Sequence, residues 1–339
     1  MSTARTSLAR FRRPRHRDEF VGSVAANAAM WPDTTAFNPV FSEDLRAAEP
    51  SSDQPSRDGA PIKVLLVNAH PDDESESAAL VYRITHESGG VVDQVVVTNG
   101  EGGHQYAALA EAYYRLPLTT TGARRELLGQ IRREELMRAS RILGIRHNYF
   151  LDQRDTGVTL HPDDALAAWD IARIKQELHT LLQFENYQLV LLLLPTLDTH
   201  GHHQAVVALT LEAVAELEVE DRPAVLGVRT VPSGTETPGT FVELNGFPLT
   251  RTTSPEPVWN FDRRTALSCH PSLDYSIVVN WVIAEHKSQG FFQLEFGRRT
   301  HEHFWLFEAS GEAGAARWRD FIQTMEQDSR PRDGVRNAA

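Results

Sequence analysis

The chain has one cysteine, Cys269, among 339 residues. An intramolecular disulfide framework and a thiolate zinc cluster are therefore both excluded, and any metal must be held by histidine and carboxylate. A basic excess is also missing. With 46 acidic against 34 basic residues and a formal net charge of −12, the chain lacks the cationic surplus by which nucleic-acid binders displace phosphate counterions. No apolar run approaches the ~18 residues of a transmembrane helix. The N-terminus carries six arginines before its first acid, Asp18, but no apolar core follows them, so no signal peptide is expected. These absences point to a cytoplasmic protein with neither a membrane span nor a nucleic-acid partner.

What is present is an alternation of strand-like and helix-like patterns that starts at Pro61. Residues 1–60, rich in Arg, Pro and Ser, show no sustained periodicity and are expected to form a flexible extension. "IKVLLV" (62–67) reads as a strand, and "ESESAALVYRITHES" as a helix stopped at Gly89-Gly90. "VVDQVVV" follows as a second strand, then a long helix ending at Gly144 and a third strand, "IRHNYFL". "DDALAAWDIARIKQELHTLLQF" reads as one amphipathic helix and "QLVLLLL" as a strand buried on both faces. Another helix and the strand "AVLGV" complete the repeat. Parallel neighbours need crossover connections, so the expected class is α/β: a Rossmann-like, doubly wound, mostly parallel sheet with helices on both faces. The regularity lapses over 230–260, a turn-rich insertion expected near the site, with a possible hairpin around Asn245-Gly246. One domain is expected over 61–328, with a frayed tail at 329–339.

In open parallel sheets ligands bind beyond the carboxyl ends of the strands. Four polar clusters fall there: "HPDDE", "TNGEGG", "DQRDTG" and "PTLDTHGHH". In the first, His70 and Asp73 are close enough to contact one ion, and His203 in the fourth supplies a third ligand. Two imidazoles and a carboxylate with an open position form a catalytic zinc arrangement, in which bound water becomes hydroxide near neutral pH. Asp72 is then left beside that water as a candidate general base, and His200 as a candidate donor to a developing oxyanion. Glu74 reads as an acid of a helix's first turn. His202 is a competing ligand, His286 either a site residue or a helix-end histidine, and His301 and His303 an exposed strand face.

"AHPDDE" followed much later by "HGHHQA" resembles the PIG-L/LmbE family of zinc-dependent N-deacetylases, with its AHPDD(E/D) and HxxH patterns. The likeness extends over roughly 61–290. "TNGEGG", "RREELMRASRILGI", "RDTG" and "HKSQ" (286–289) resemble further motifs of that family, the last two those of mycothiol-pathway members. The resemblance implies one Zn2+ per chain on His70, Asp73 and His203, with Fe2+ as an alternative. It implies Asp72 as the base, His200 as the electrostatic partner and removal of an acetyl group from an N-acetylglucosaminyl-type substrate. Arg132 and Asp155 are candidate substrate-binding residues. In one respect the chain departs from the family, which often has Pro-Asp where Gly201-His202 stand. The expected partner is thus a small amino-sugar, with a homo-oligomer left open. Two other classes fit some of these residues. One is a non-haem Fe(II) oxygenase using the same His/Asp/His triad, a chemistry that by resemblance sits on β-sandwiches. The other is a non-catalytic Rossmann-like module binding phosphate through "TNGEGG", although the GxGxxG spacing and a P-loop lysine are missing.

Overall fold

The structure, a computed structural model, describes residues 61–120, 124–232, 238–294 and 296–328. The expected N-terminal extension and C-terminal tail lie outside the described residues. Along the chain come β1 (Lys63–Asn68), α1 (Ala78–Tyr82), β2 (Val91–Thr98), α2 (Ala108–Tyr114), α3 (Arg124–Leu143) and β3 (Asn148–Gln153). They are followed by α4 (Pro162–Ala168), α5 (Ile171–Glu185), β4 (Leu189–Leu193), α6 (Gly201–Ala215), β5 (Ala224–Pro232) and β6 (Trp259–Asp262). A small hairpin of β7 (Ala266–Leu267) and β8 (His270–Asp274) precedes α7 (Tyr275–Glu285), β9 (Arg299–Leu306) and α8 (Gly311–Asp328).

Seven strands form the main sheet in the order β3-β2-β1-β4-β5-β9-β6. The first five are parallel, and β9 runs antiparallel to both β5 and β6. This is the expected α/β class with a mostly parallel sheet. Strand-like alternation sends Val64 and Leu66 to one face, where they join Leu80, Leu143, Val279 and Phe304 in one buried cluster. Leu65, Val190 and Leu192 are buried under the other face, where α6 lies against β1 and β4 and packs with α5. Both faces are covered, which is why β1, β2 and β4 read as near-continuous apolar runs. The chain leaves β1 toward β2 on one side and later returns to β4 on the other. The sheet's switch point therefore lies between β1 and β4, where a crevice opens beyond their carboxyl ends.

Three local readings are corrected. The helix expected over 163–184 is two helices, broken at Trp169-Asp170. Asp170 caps the second by accepting from the Arg173 amide, while Trp169 donates its indole N–H to the Arg154 carbonyl. Asn245-Gly246 makes a tight turn closed by a single bridge, Leu244 to Phe247, rather than a hairpin of two strands. The turn-rich insertion divides. Thr230, at the end of β5, hydrogen-bonds Glu76 through its amide at 3.0 Å. The stretch from Phe241 to Val258 is tied to β9 and the turn after it instead. Thr253 donates to the Leu306 carbonyl, Glu308 to that of Arg251 and Trp305 to that of Pro255. β9 runs antiparallel, so these bonds lie toward the end of the sheet where β5 begins, away from the crevice.

No helix among the described residues is long and apolar enough to cross a membrane. Inside β2, Asp93 is fully buried and ties three segments together. It accepts from Arg146 Nε at 2.9 Å and from the Tyr187 hydroxyl at 2.7 Å, with His147 Nδ1 at 3.2 Å. Burial alone would raise this carboxyl, but the bonds from Arg146, His147 and Tyr187 outweigh it and hold it at about 2. A folded-state pKa below the unfolded one stabilises at neutral pH and is lost as pH falls through the folded value. Asp93→Asn should therefore cost about 2 kcal/mol near neutrality, and the gap to wild type should close between roughly pH 4 and pH 2. Urea unfolding of both proteins across that range checks it.

Candidate metal and catalytic site

The four loops singled out in the sequence meet in one cavity of about 270 Å3 at the carboxyl ends of β1 to β4. His70, Asp72 and Asp73 line it from the first loop, Gly102 and Gly103 from the second, Asp155 and Gly157 from the third, and His200 and His203 from the fourth. Arg132 of α3 also lines it. His70, Asp72, Asp73, Arg132, Asp155, His200 and His203 are thus brought to one place, while His202, the competing ligand, is not among the residues that line it.

Asp73 organises the first loop. Its Oδ2 accepts the backbone N–H of Ala69 at 2.9 Å and of His70 at 2.8 Å. The same oxygen lies 3.8 Å from His70 Nδ1 and 3.5 Å from His203 Nδ1. One ligand atom each from His70, Asp73 and His203 falls within 4.8 Å of the others, the span of donors around a shared ion. The chemistry of these donors suits a divalent cation. Burial would raise Asp73, but His203 and the hydrogen bonds at His70 hold its carboxyl well below the usual range, so it is anionic. Burial pushes His203 down to about 4, leaving a free imidazole lone pair at neutral pH. Burial would lower His70, but Asp73, together with Asp155, draws the ring above its ordinary value. The positive charge that Asp73 attracts is what a cation between them would supply.

A second trio, His70, His200 and His202, meets the same distance criterion. Both ring nitrogens of His202 are already engaged, however. Nδ1 lies 2.9 Å from His70 Nε2, and Nε2 lies 2.7 Å from the Thr156 hydroxyl. His202 is fully buried, so serving as a ligand would strip these bonds with no water to replace them. It behaves as the partner that orients the His70 ring. Gly201 before it is required by packing: its amide donates to the Thr159 carbonyl at 2.7 Å, and an added Cβ would meet the His161 carbonyl at 2.5 Å. His200, at the start of α6, directs Nε2 to the Gly157 carbonyl at 3.0 Å.

Asp72 stands outside the trio, with its Oδ2 2.9 Å from Arg132 Nη2. Burial pushes its carboxyl up to about 6, with Arg132 opposing and Asp73 reinforcing the rise. Arg132 is 3 % exposed, and its terminal nitrogens donate to the carbonyls of Gly100 and Pro71, both at 2.6 Å. Asp155 accepts the amides of Gly102 at 3.0 Å and Gly157 at 2.8 Å. The glycines of "TNGEGG" exist for this packing. A Cβ at Gly100 would fall 2.2 Å from Arg132 Nη1, and one at Gly102 would fall 2.2 Å from Asp155 Oδ1.

Sequence reasoning missed several residues. Glu74, read as a cap acid, is fully buried and bonded to His286. Gln289 lines the cavity, as do Ser75, Glu76, Tyr106, Val158 and Leu193. The "HKSQ" motif was the available signal for His286 and Gln289. Nothing local marked the others.

The family model described as PIG-L: GlcNAc-PI de-N-acetylase matches residues 65–214, so the chain contains a PIG-L family domain. A curated relative, a probable N-acetyl-alpha-D-glucosaminyl L-malate deacetylase 2 from Bacillus cereus, is 27% identical over 165 residues, 49% of this chain. The match spans 66% of that protein, just short of two thirds of its length. Among solved structures, GalB, the 4-carboxy-2-hydroxymuconate hydratase from Pseudomonas putida KT2440, superposes with a TM-score of 0.50 at 16% identity, covering 72% of this chain and 95% of that one. The N,N'-diacetylchitobiose deacetylase from Pyrococcus horikoshii gives 0.46 at 16% identity, covering 88% of this chain and 96% of that one.

The packing of the second loop can be tested directly. Gly102→Ala drives a methyl group into the Asp155 carboxylate and should destabilise the fold by about 1–3 kcal/mol. Gly290→Ala, whose Cβ would meet nothing within 4 Å, should stay within about 0.5 kcal/mol of wild type. Urea unfolding measures both.

Proposed function

We propose that this chain is a metal-dependent amide hydrolase that removes an N-acetyl group from an amino sugar of the N-acetylglucosaminyl type. The observation that carries the reading is the meeting of His70, Asp73 and His203 around one point, with Asp72 beside them in a cavity. The family description and the name of the Bacillus relative support the reaction class and the kind of substrate.

In this reading His70 Nδ1, Asp73 and His203 hold one divalent cation, zinc or else ferrous iron. Such an ion supplies Lewis acidity toward the amide carbonyl and makes a water acidic enough to react at neutral pH. The rest is done by the chain's own residues. With Nδ1 of His70 given to the ion, its Nε2–H donates to His202 Nδ1, and His202 Nε2–H donates to Thr156. That chain of bonds sets both tautomers and holds the ring in place. Asp72, unligated and raised by burial, takes the proton from the attacking water and returns it to the departing amine, so that one water and one amide become acetate and a free amine. His200 faces the carbonyl oxygen as it gains charge. With Nε2–H engaged by Gly157, Nδ1 can donate only from the doubly protonated ring, a form that burial and the neighbouring His70 disfavour until the oxygen's negative charge develops. Asp155 accepts from a sugar hydroxyl. Arg132, offered by the sequence as a substrate contact, is assigned here to holding Asp72, since its terminal nitrogens are spent on Gly100, Pro71 and Asp72 itself. The cavity, about 270 Å3, lies just below the roughly 300 Å3 at which drug-sized pockets begin, a scale suited to a single sugar ring.

Metal analysis together with an acetate-release screen over N-acetyl amino sugars tests the proposal. Asp72→Asn should retain its metal and lose about 10²-fold or more in kcat, whereas His203→Ala should lose the metal itself. Undiminished turnover by Asp72→Asn would reject the base assignment, and a metal-free wild-type protein that still releases acetate would reject the whole reading.

A further inference from the structure

Asp72 sits in a backbone conformation that residues other than glycine seldom adopt, with φ 129° and ψ −16°. Such a conformation persists only where its surroundings over-determine it, and here they do. The peptide unit joining Pro71 to Asp72 is gripped at both ends. Arg132 Nη2 donates to its carbonyl oxygen at 2.6 Å, and its N–H donates to Glu74 Oε2 at 3.1 Å. That plane is one side of the rotation about the N–Cα bond of Asp72, which is φ, and φ is set once the far side of the residue is held as well. On the other side of the residue, the Asp72 carbonyl accepts from the Ser75 amide at 3.2 Å.

Glu74 is itself held. Its second oxygen, Oε1, is bonded to Nε2 of His286, the residue that ends α7. Glu74 is 0 % and His286 3 % exposed, so water cannot replace either partner. An acid serving only the first turn of a helix would be solvated, and burial without a partner would be costly. The pairing with His286 makes the burial tolerable, and the free oxygen is turned to the Asp72 amide.

We infer that Glu74 and His286, acting with Arg132, are positioning residues that clamp the Pro71–Asp72 peptide and so aim the Asp72 carboxylate into the cavity. The inference rests on the reading of Asp72 as general base. Neither Glu74 nor His286 touches substrate; both act through the geometry of Asp72. Misplacing a reacting group by about 1 Å can cost about 10²-fold in rate, so the clamp should govern kcat rather than substrate affinity.

The test measures kcat, KM, bound metal and the crystal structure of wild type, Glu74→Ala, Glu74→Gln and His286→Ala. For Glu74→Ala we expect kcat to fall about 10- to 100-fold, with KM and metal content at wild-type values and Asp72 relaxed to negative φ. Glu74→Gln keeps an oxygen to accept from the Asp72 amide and an N–H to donate to His286, and should recover most of the rate. Because Glu74→Ala leaves a buried void and can fail to fold, His286→Ala carries the same expectation as a second arm. A folded Glu74→Ala or His286→Ala with wild-type kcat and unchanged φ at Asp72 overturns the proposal. So does a parallel loss of kcat, KM, metal and thermal stability that Glu74→Gln does not restore, since that marks a merely structural pair. If wild type releases no acetate from any N-acetyl amino sugar, the deacetylase reading fails, while the Asp72 geometry in the variant crystals still decides the clamp.

Discussion

A single carboxylate oxygen, Oδ2 of Asp73, joins the first loop to the fourth. It closes its own loop by accepting two backbone amides and faces the rings of both His70 and His203. Two things follow from that placement. The loop after β1 is folded tightly enough to set Asp72 apart from the group of His70, Asp73 and His203, and the start of α6 is drawn against it. A buried anion among imidazoles is stable only if something positive is shared between them. In the chain alone Asp73 draws the His70 ring above its ordinary value; in the proposed enzyme a metal ion supplies that charge.

The sheet explains why these loops meet at all. With β1 and β4 adjacent and the chain departing in opposite directions from them, the crevice at their carboxyl ends is roofed by no crossover. The fold does not by itself name a reaction, since a structure of comparable topology is described as a hydratase. Chemistry resides in the side chains set on the scaffold. For the same reason the parallel sheet bears on the oxygenase alternative only through the sandwich scaffold that alternative would bring, and the phosphate-binding alternative loses its main support. The glycines of the second loop make room for Arg132 and Asp155.

The parts of the fold legible in the sequence are those with a strong period. β1, β2 and β4 are runs of buried apolar residues, and α3 ends at a glycine with φ +67°. Where the reading failed, a tertiary partner had overridden the local pattern. The periodicity running through 163–184 is continuous, but Trp169 is recruited by the Arg154 carbonyl and Asp170 by a new helix start. β6 was unreadable in a turn-rich stretch because "WNFD" gains its ladder only from β9, about forty residues later in the chain. In β9 itself the alternation around His301 and His303 was visible, but the inward position between them is Glu302. That residue is buried against Arg263 and caps α1 through the amides of Ala79 and Leu80.

The candidate site divides along the same line. Spacing within one short loop is a local property, so the sequence by itself determined that His70, Asp72 and Asp73 leave a buried strand together. It also determined that His200 and His203 lie one helical turn apart. Strand order then placed the two groups at one crevice. Which histidine faces Asp73 and which supports His70 was decided by the start of α6 and the third loop, because His202 is turned to Thr156 while His203 is turned to Asp73. The partnership of Glu74 with His286, 212 residues apart, belongs wholly to the tertiary structure. A buried acid and a solvated helix-cap acid are the same letter, and only packing removes the water that distinguishes them.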